Sequence, residues 1–213
     1  AAGVRLHYVT DGRGPLLVLL HGFPEFWYSW RSQIPVLARY FKVVAVDMRG
    51  YNESDKPAGV SAYSVEKLVN DVKCVVRAFG KEQAVIVGHD WGGVVAWSFG
   101  ATYPEMTRRL VVMNAPHPVA FEKALRTDRR QLRRSWYIFF FQLPKLPEWG
   151  IRVFAGRFVK NAFQGTAVMK EVFTAEELQV YETALTLPGV AKAAVNYYRA
   201  AFRRFLLGKA SAM

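Results

Sequence analysis

Residues 84–99 constrain the fold of this chain more than any other segment. The apolar run at 84–87 is typical of a short buried strand, and the apolar run at 93–99 favours a helix. Between them, at 88–92, stands the sequence Gly-His-Asp-Trp-Gly. Its two glycines allow the backbone to turn sharply and the helix to pack close to the strand. The segment therefore predicts a strand, a tight turn and a helix, with Asp90 at the turn.

Asp90 also predicts a type of chemistry. Tight strand–helix turns of the form Gly-x-Ser-x-Gly present a nucleophilic serine, whose alkoxide suits attack on an acyl carbon. A carboxylate in that position suits displacement at a saturated carbon, which forms an ester that water must then cleave. The sequence therefore favours alkyl transfer to Asp90 over acyl transfer.

Strand and helix patterns alternate over the first half of the chain. Apolar runs predict further strands at 4–10, 16–20, 42–47 and 109–113. Helical spacing after Ser64 is shown by Val65, Leu68, Val69, Val72, Val76 and Phe79. We expect residues 27–40 to be largely helical, with a disturbance at Pro35. Apolar strands that alternate with helices are typical of a mostly parallel sheet covered on both faces.

Beyond Asn114 the pattern changes to helices alone. A capping box at Thr174 and Glu177 begins one helix, and the sequence Leu-Pro-Gly at 187–189 separates it from another that runs to about residue 207. We therefore divide the chain into an α/β region, residues 1–117, and a helical region, residues 118–213.

Charge and composition exclude several classes of protein. The 213 residues carry a formal net charge of +12, with arginine clusters at 126–134 and 199–204. Amphipathic helices with solvated arginine faces explain these clusters better than nucleic-acid binding does, whereas contact with an anionic membrane surface stays open.

No run reaches the ~18 apolar residues that span a bilayer. The single cysteine and the lack of a signal-peptide pattern at 1–10 favour a cytoplasmic location, and nothing indicates the oligomeric state.

Three motifs together resemble the soluble epoxide hydrolases of the α/β-hydrolase superfamily. They are His-Gly-Phe-Pro-Glu-Phe-Trp-Tyr-Ser-Trp-Arg at 21–31, Asp-Met-Arg-Gly-Tyr at 47–51 and Gly-His-Asp-Trp-Gly-Gly at 88–93. The resemblance extends over nearly the whole chain and implies an α/β-hydrolase core with an inserted helical cap, which matches the change after Asn114. It also implies hydrolysis of small lipophilic epoxides to diols, without a metal or a cofactor.

The resemblance assigns roles to particular residues. It implies that Asp90 is the nucleophile and that the backbone N–H groups of Phe23 and Trp91 form an oxyanion hole. It further implies that Tyr137 and Tyr198, in the helical region, protonate the opened epoxide oxygen. The residues alone leave a second interpretation open, since each tyrosine lies on an apolar helix face and could be ordinary core packing.

An apolar, aromatic-rich pocket is the expected binding site for the epoxide. We expect it to be lined by Phe23, Trp27, Trp91, Tyr137, Phe140 and Phe141. Tyr197 adjoins Tyr198 but points about 100° away on a helix, so we do not expect it to share the site. We expect His89 to make structural hydrogen bonds, and Pro24 is a candidate for a cis peptide bond.

The sequence departs from the family at the catalytic histidine and acid, which belong on loops after the cap. The histidines present are His7, His21, His89 and His117, and none occupies the expected place. We therefore expect that the final core strands are missing, that the strand at 109–113 has an open edge that lowers solubility, and that this chain forms an alkyl ester without hydrolysing it. Two alternatives stay open: a haloalkane dehalogenase, with Trp91 holding the halide, and a non-catalytic binding module.

Overall fold

A five-stranded sheet forms the centre of the computed structural model, which describes residues 3–207. The strands are β1 (Tyr8–Asp11), β2 (Leu16–Leu20), β3 (Lys42–Val46), β4 (Ala84–His89) and β5 (Thr107–Met113). They lie in the order β1-β3-β2-β4-β5; β1 runs antiparallel to β3, and all other neighbours are parallel. The predicted α/β class with a mostly parallel sheet is confirmed, and within the described residues β5 is an edge strand, as expected.

Ten α-helices accompany the sheet within residues 3–207. Three of them precede β5: α1 (Ile34–Leu37), α2 (Val65–Ala78) and α3 (Trp91–Thr102). Seven follow it: α4 (Pro118–Thr127), α5 (Arg129–Arg134), α6 (Trp136–Phe140), α7 (Leu146–Val153), α8 (Ala155–Phe163), α9 (Ala175–Thr186) and α10 (Val190–Leu206). The predicted capping box at Thr174 is present. No described helix is long and apolar enough to cross a bilayer.

The central strands β2, β3 and β4 are buried on both faces, and successive residues of each strand point to opposite sides of the sheet. Leu17 and Leu19 of β2 pack on the face covered by Trp30 and Ile34. Val18 lies on the other face, in a cluster that includes apolar residues of α2, α3 and α10. The apolar cluster on this second face therefore connects the sheet to the helices that follow it.

The segment at 27–40 is less helical than expected. It holds a 3-10 turn at Trp27–Trp30 and the single helical turn of α1. Pro35 stands in the first turn of α1, where a missing amide hydrogen costs nothing. The proline therefore begins a new short helix rather than disturbing a long one.

The arginine cluster at 199–204 forms the expected solvated face only in part, because Arg203 is exposed whereas Arg199 and Arg204 are paired with acidic residues. The Arg199 side chain is 13% exposed; it forms an ion pair with Glu148 at 2.5 Å and donates to the carbonyl oxygen of Leu143 at 2.6 Å. Arg204 forms an ion pair with Glu66. Both acidic partners lie far away in the sequence, so the local charge pattern could not reveal them.

Candidate active site

The turn after β4 places Asp90 at the carboxyl end of the parallel strands. Asp90 has φ +51° and ψ −117°, a strained conformation for a residue with a side chain. Its N–H donates to the carbonyl oxygen of Met113, at the end of β5, at 3.1 Å. A Cβ on Gly92 would lie 2.2 Å from the carbonyl oxygen of Leu20, so only glycine lets β2 and α3 approach here. The predicted strand, tight turn and helix are confirmed.

Two backbone amides hold the Asp90 carboxylate. The N–H of Phe23 donates to Oδ1 at 2.9 Å, and the N–H of Trp91 also hydrogen-bonds the carboxylate. Burial raises the pKa of Asp90 above its ordinary value, while the two N–H donors act to lower it. The Phe23–Pro24 peptide bond is cis, as the sequence suggested. The two N–H groups predicted for the oxyanion hole therefore meet at one carboxylate.

Glu25 is a second carboxylate beside Asp90 and was not among the residues predicted for the site. Its Oε2 accepts the N–H of Gly22 at 2.7 Å and lies 3.2 Å from Nδ1 of His89. Burial acts to raise the pKa of Glu25, but the hydrogen bond with His89 helps to bring it below its usual value, and the same contact raises the pKa of His89. His89 therefore makes the structural hydrogen bond that we expected, and the signal for Glu25 was its place in the motif at 21–31.

Tyr137 and Tyr198 approach Asp90 from the helical region. Tyr137 lies on α6 and Tyr198 on α10, and their ring centroids are 5.8 Å apart at an interplanar angle of 86°. Burial and then the negative charge of Asp90 raise the pKa of both hydroxyls, that of Tyr198 well above its ordinary value. The Trp91 side chain also hydrogen-bonds the Tyr198 hydroxyl. The fold therefore gathers both tyrosines and the carboxylate at one place.

Tyr197 has different surroundings from Tyr198. Its side chain is fully buried, and its hydroxyl donates to the carbonyl oxygen of Arg49 at 2.7 Å. Its ring contacts those of Tyr51 and Tyr63. The two neighbouring hydroxyls therefore have different partners, although the Tyr197 ring also lies 5.4 Å from that of Trp91.

Aromatic rings surround the Phe23 side chain. With centroid separations of 5.6 to 5.8 Å, it contacts the rings of Phe141, Phe158 and Tyr198. Phe140 adjoins Phe141 at 5.9 Å. Among the ring contacts of residues 3–207, Trp27 packs against Phe26 and Tyr28 instead of joining this group. Phe158 was missed from the sequence, although its spacing of four from Phe154, the residue just before α8, indicates an aromatic face.

All four histidines contact groups other than the Asp90 carboxylate. His7 contacts Asp47, His21 accepts the N–H of Met48, His89 contacts Glu25, and the ring of His117 packs against that of Trp97. Burial lowers the pKa of His21, so its imidazole stays neutral. Within the described residues, no histidine side chain hydrogen-bonds the Asp90 carboxylate.

The fold is shared with known proteins. A family model described as alpha/beta hydrolase fold matches residues 15–205. The chain belongs to the alpha/beta hydrolase fold family. This α/β hydrolase is 41% identical to Epoxide hydrolase 1 of Caenorhabditis elegans over 205 residues, which are 93% of the chain and 51% of the relative. It is also 41% identical to Epoxide hydrolase 4 of Mus musculus over 207 residues, 94% of the chain and 58% of the relative.

Solved structures agree with these relatives. The epoxide hydrolase of Bacillus megaterium, in complex with an inhibitor, superposes with a TM-score of 0.82 at 34% sequence identity and covers 93% of this chain and 69% of its own. The resemblance to epoxide hydrolases is therefore confirmed. The chain spans a little over half the length of the two curated relatives and about seven-tenths of the solved one.

Proposed function

We propose that this α/β hydrolase carries the nucleophile and the acids of an epoxide hydrolase. The observation that supports this most is the setting of the Asp90 carboxylate, with two backbone N–H donors bound to it and Tyr137 and Tyr198 beside it. The epoxide hydrolase names of its relatives support the substrate class. In this proposal residues 1–117 form the core and residues 118–213 form a cap over the site.

The first step is ring opening. Oδ1 of Asp90 stays on the N–H of Phe23 while Oδ2 attacks an oxirane carbon, so that a new C–O bond forms as the ring C–O bond breaks. The phenol of Tyr137 or Tyr198 gives its proton to the ring oxygen and later regains one from solvent. The raised pKa of both phenols keeps them protonated at neutral pH. The product is a hydroxyalkyl ester of Asp90.

The second step is hydrolysis of that ester. Water attacks the ester carbonyl carbon, and the negative charge that develops on Oδ1 is held by the N–H groups of Phe23 and Trp91; removing one such donor typically costs about 10²–10³ in rate. This step needs a general base. Because the four histidines of the chain have other neighbours, we propose that the ester accumulates on residues 1–213.

Intact-protein mass spectrometry tests this proposal. Exposure to a small lipophilic epoxide should add one epoxide mass to the protein, and Asp90→Asn should abolish the adduct because an amide is a poor nucleophile. Asp55→Asn, which changes a carboxylate that is 43% exposed, is the matched control and should react like the wild type. Diol formed over many turnovers would contradict the accumulation of the ester, and a folded wild-type protein that forms no adduct would contradict the role of Asp90.

The same assay addresses the two alternatives. A haloalkane dehalogenase would form the adduct from a chloroalkane and release chloride. A binding module would form no adduct with either compound.

A further inference from the structure

One side of α7 is apolar although it faces solvent. Leu146, Trp149 and Val153 lie along this side at the spacing i, i+3 and i+7. The ring centroid of Trp149 lies 6.0 Å from that of Phe154, just after the helix, and these four residues are 46 to 56% exposed. The opposite side of α7 is already buried through Ile151. We call the four exposed residues the α7 face, and a continuous exposed apolar surface of this kind is typical of an interaction site.

Basic side chains border the α7 face. They are Lys145 and Arg152 at α7, and Arg157 and Lys160 on α8. All four are exposed, and within residues 3–207 their charged groups form neither an ion pair nor a hydrogen bond. Lys145 and Arg152 stand four residues before and three residues after Trp149, so they flank its ring on the helix surface. The acidic residue of α7, Glu148, is already paired with Arg199. The apolar face therefore has a border of unpaired positive charge.

This border of positive charge distinguishes between two kinds of occupant. A second copy of the chain would bring the same cations against one another, because a two-fold contact uses the same face on both molecules. Like charges placed in this way oppose association, and the chain as a whole carries a net charge of +12. The surface of an anionic bilayer instead supplies negative headgroups for the cations. It also accepts tryptophan at the depth of the headgroups and apolar side chains at the acyl boundary.

We propose that the α7 face docks on the surface of an anionic lipid bilayer, with Lys145, Arg152, Arg157 and Lys160 against the headgroups. The contact is peripheral: α7 lies in the plane of the interface, and Trp149 enters the headgroup region. The arginine cluster at 126–134, which suggested membrane contact from the sequence, lies on other helices. The inference is independent of the chemistry proposed for Asp90.

Cosedimentation of the chain with lipid vesicles tests the charged border. In about 0.1 M salt the wild type should bind vesicles of one-third phosphatidylserine and two-thirds phosphatidylcholine, and about 0.5 M salt should largely release it. Lys145→Gln combined with Arg152→Gln should weaken binding about 25-fold, since each basic residue near an anionic surface contributes about fivefold. Arg77→Gln combined with Lys81→Gln, which removes two exposed charges near the end of α2, is the matched control and should stay within twofold.

A second pair of variants tests the apolar contact. Trp149→Ser should weaken binding to the same vesicles about tenfold, because it removes a ring that burial in the interface stabilises. Tyr40→Ser, at a ring that is at least as exposed but lies just before β3, should bind like the wild type. The urea midpoints of all these variants should match that of the wild type, because each substituted side chain is exposed, and they exclude unfolding as the cause of weaker binding.

Several outcomes would overturn the proposal. They are a wild type that does not bind the mixed vesicles, equal losses in the two charge variants, and a Trp149→Ser variant that binds as well as the wild type. A greater loss for Arg129→Gln combined with Arg133→Gln than for the pair at α7 would place the contact on α5 instead. Sedimentation velocity measures the other occupant: a dimer that Trp149→Ser dissociates, in a chain that does not bind vesicles, would assign the α7 face to a second copy.

Discussion

The two sides of the candidate site are positioned by different means. On the sheet side, Asp90 is placed by backbone conformation, and the groups that hold its carboxylate are the backbone amides of Phe23 and Trp91. On the helical side, Tyr137 and Tyr198 are placed by side-chain contacts between helices that are distant in sequence. Backbone geometry leaves a short motif in the sequence, whereas side-chain packing between distant helices does not.

Steric limits on the backbone explain why the position of Asp90 on the sheet side is so narrowly defined. A Cβ on Gly22 would lie 2.5 Å from Cβ of Asp90, and one on Gly88 would lie 2.2 Å from the carbonyl oxygen of Gly92. Such separations do not occur between real atoms, so these glycines cannot be replaced without moving the turn. The nucleophile position is therefore encoded within a few residues.

Two polar connections hold the helical side. Arg199, next to Tyr198, donates to the carbonyl oxygens of Phe141 and Leu143, just after α6, and pairs with Glu148 on α7. The Tyr197 hydroxyl binds the carbonyl oxygen of Arg49, whose guanidinium forms a buried ion pair with Asp71 on α2. The first connection joins α10 to the chain just after α6, and the ring contacts of Tyr198 with Tyr137 and Phe141 join the same two elements.

The largest effect should come from breaking the turn on the sheet side. Gly92→Ala places a methyl group 2.2 Å from the carbonyl oxygen of Leu20, so we expect the free energy of unfolding to fall by about 3 kcal/mol or more, with loss of adduct formation. Gly150→Ala is the matched control, because that helical glycine has open space around it and gains up to ~1 kcal/mol of helix propensity. Urea denaturation measures the free energy of unfolding of both variants. An unchanged midpoint for Gly92→Ala would show that the turn tolerates a side chain.

The next largest effect should come from the phenols on the helical side. Replacing both Tyr137 and Tyr198 by Phe should slow adduct formation by about 10²–10⁴-fold, the usual contribution of general acid catalysis, while each single variant should lose less. Tyr40→Phe, at an exposed tyrosine, should react like the wild type. Mass spectrometry measures the rate of adduct formation for each variant. A double variant that reacts at the wild-type rate would show that the two tyrosines serve only in packing.

The pH dependence of adduct formation compares the two sides in one measurement. The reactive form of Asp90 is the carboxylate, and burial raises its pKa, so the rate should fall tenfold per pH unit below a midpoint that lies above the ordinary ~3.9. The reactive form of Tyr198 is the phenol, and burial together with Asp90 raises its pKa well above the ordinary ~10, so no loss is expected up to that pH. An acid midpoint below 3.9, or a decline between pH 8 and 10, would contradict these directions.

The smallest effect should come from loosening the helical side at Arg199. Arg199→Met removes the hydrogen bonds to the carbonyl oxygens of Phe141 and Leu143 and should lower the free energy of unfolding by about 1–3 kcal/mol. If Arg199 also positions the tyrosines, the maximal rate of adduct formation by Arg199→Met should fall while the half-saturating epoxide concentration changes little. Arg199→Lys should then retain part of the maximal rate that Arg199→Met loses. Arg203→Met, at an exposed position on the same helix, is the control. Loss of stability with an unchanged maximal rate would limit Arg199 to a structural role.

Local patterns anticipated a large part of this fold. The burial of Leu68, Val72 and Val76 on α2 follows the i, i+4, i+8 spacing, and Thr174 caps α9 as its motif predicts. The break at Leu187 to Gly189 and the long α10 after it were also readable. These features depend on neighbours within about four residues, which is the range over which a sequence pattern carries structural information.

What the sequence determined by itself about this protein is its order of strands and helices and the turn at Asp90, because steric limits and helical spacing act between near neighbours. The pairing of Arg199 with Glu148, the contact of Glu25 with His89 and the meeting of Tyr137 with Tyr198 were decided by the tertiary structure. Each of these contacts joins residues 51 to 64 positions apart. An arginine or a tyrosine on an amphipathic helix has the same local pattern whether it faces solvent, core or a site, so only the packing of distant helices distinguishes the three.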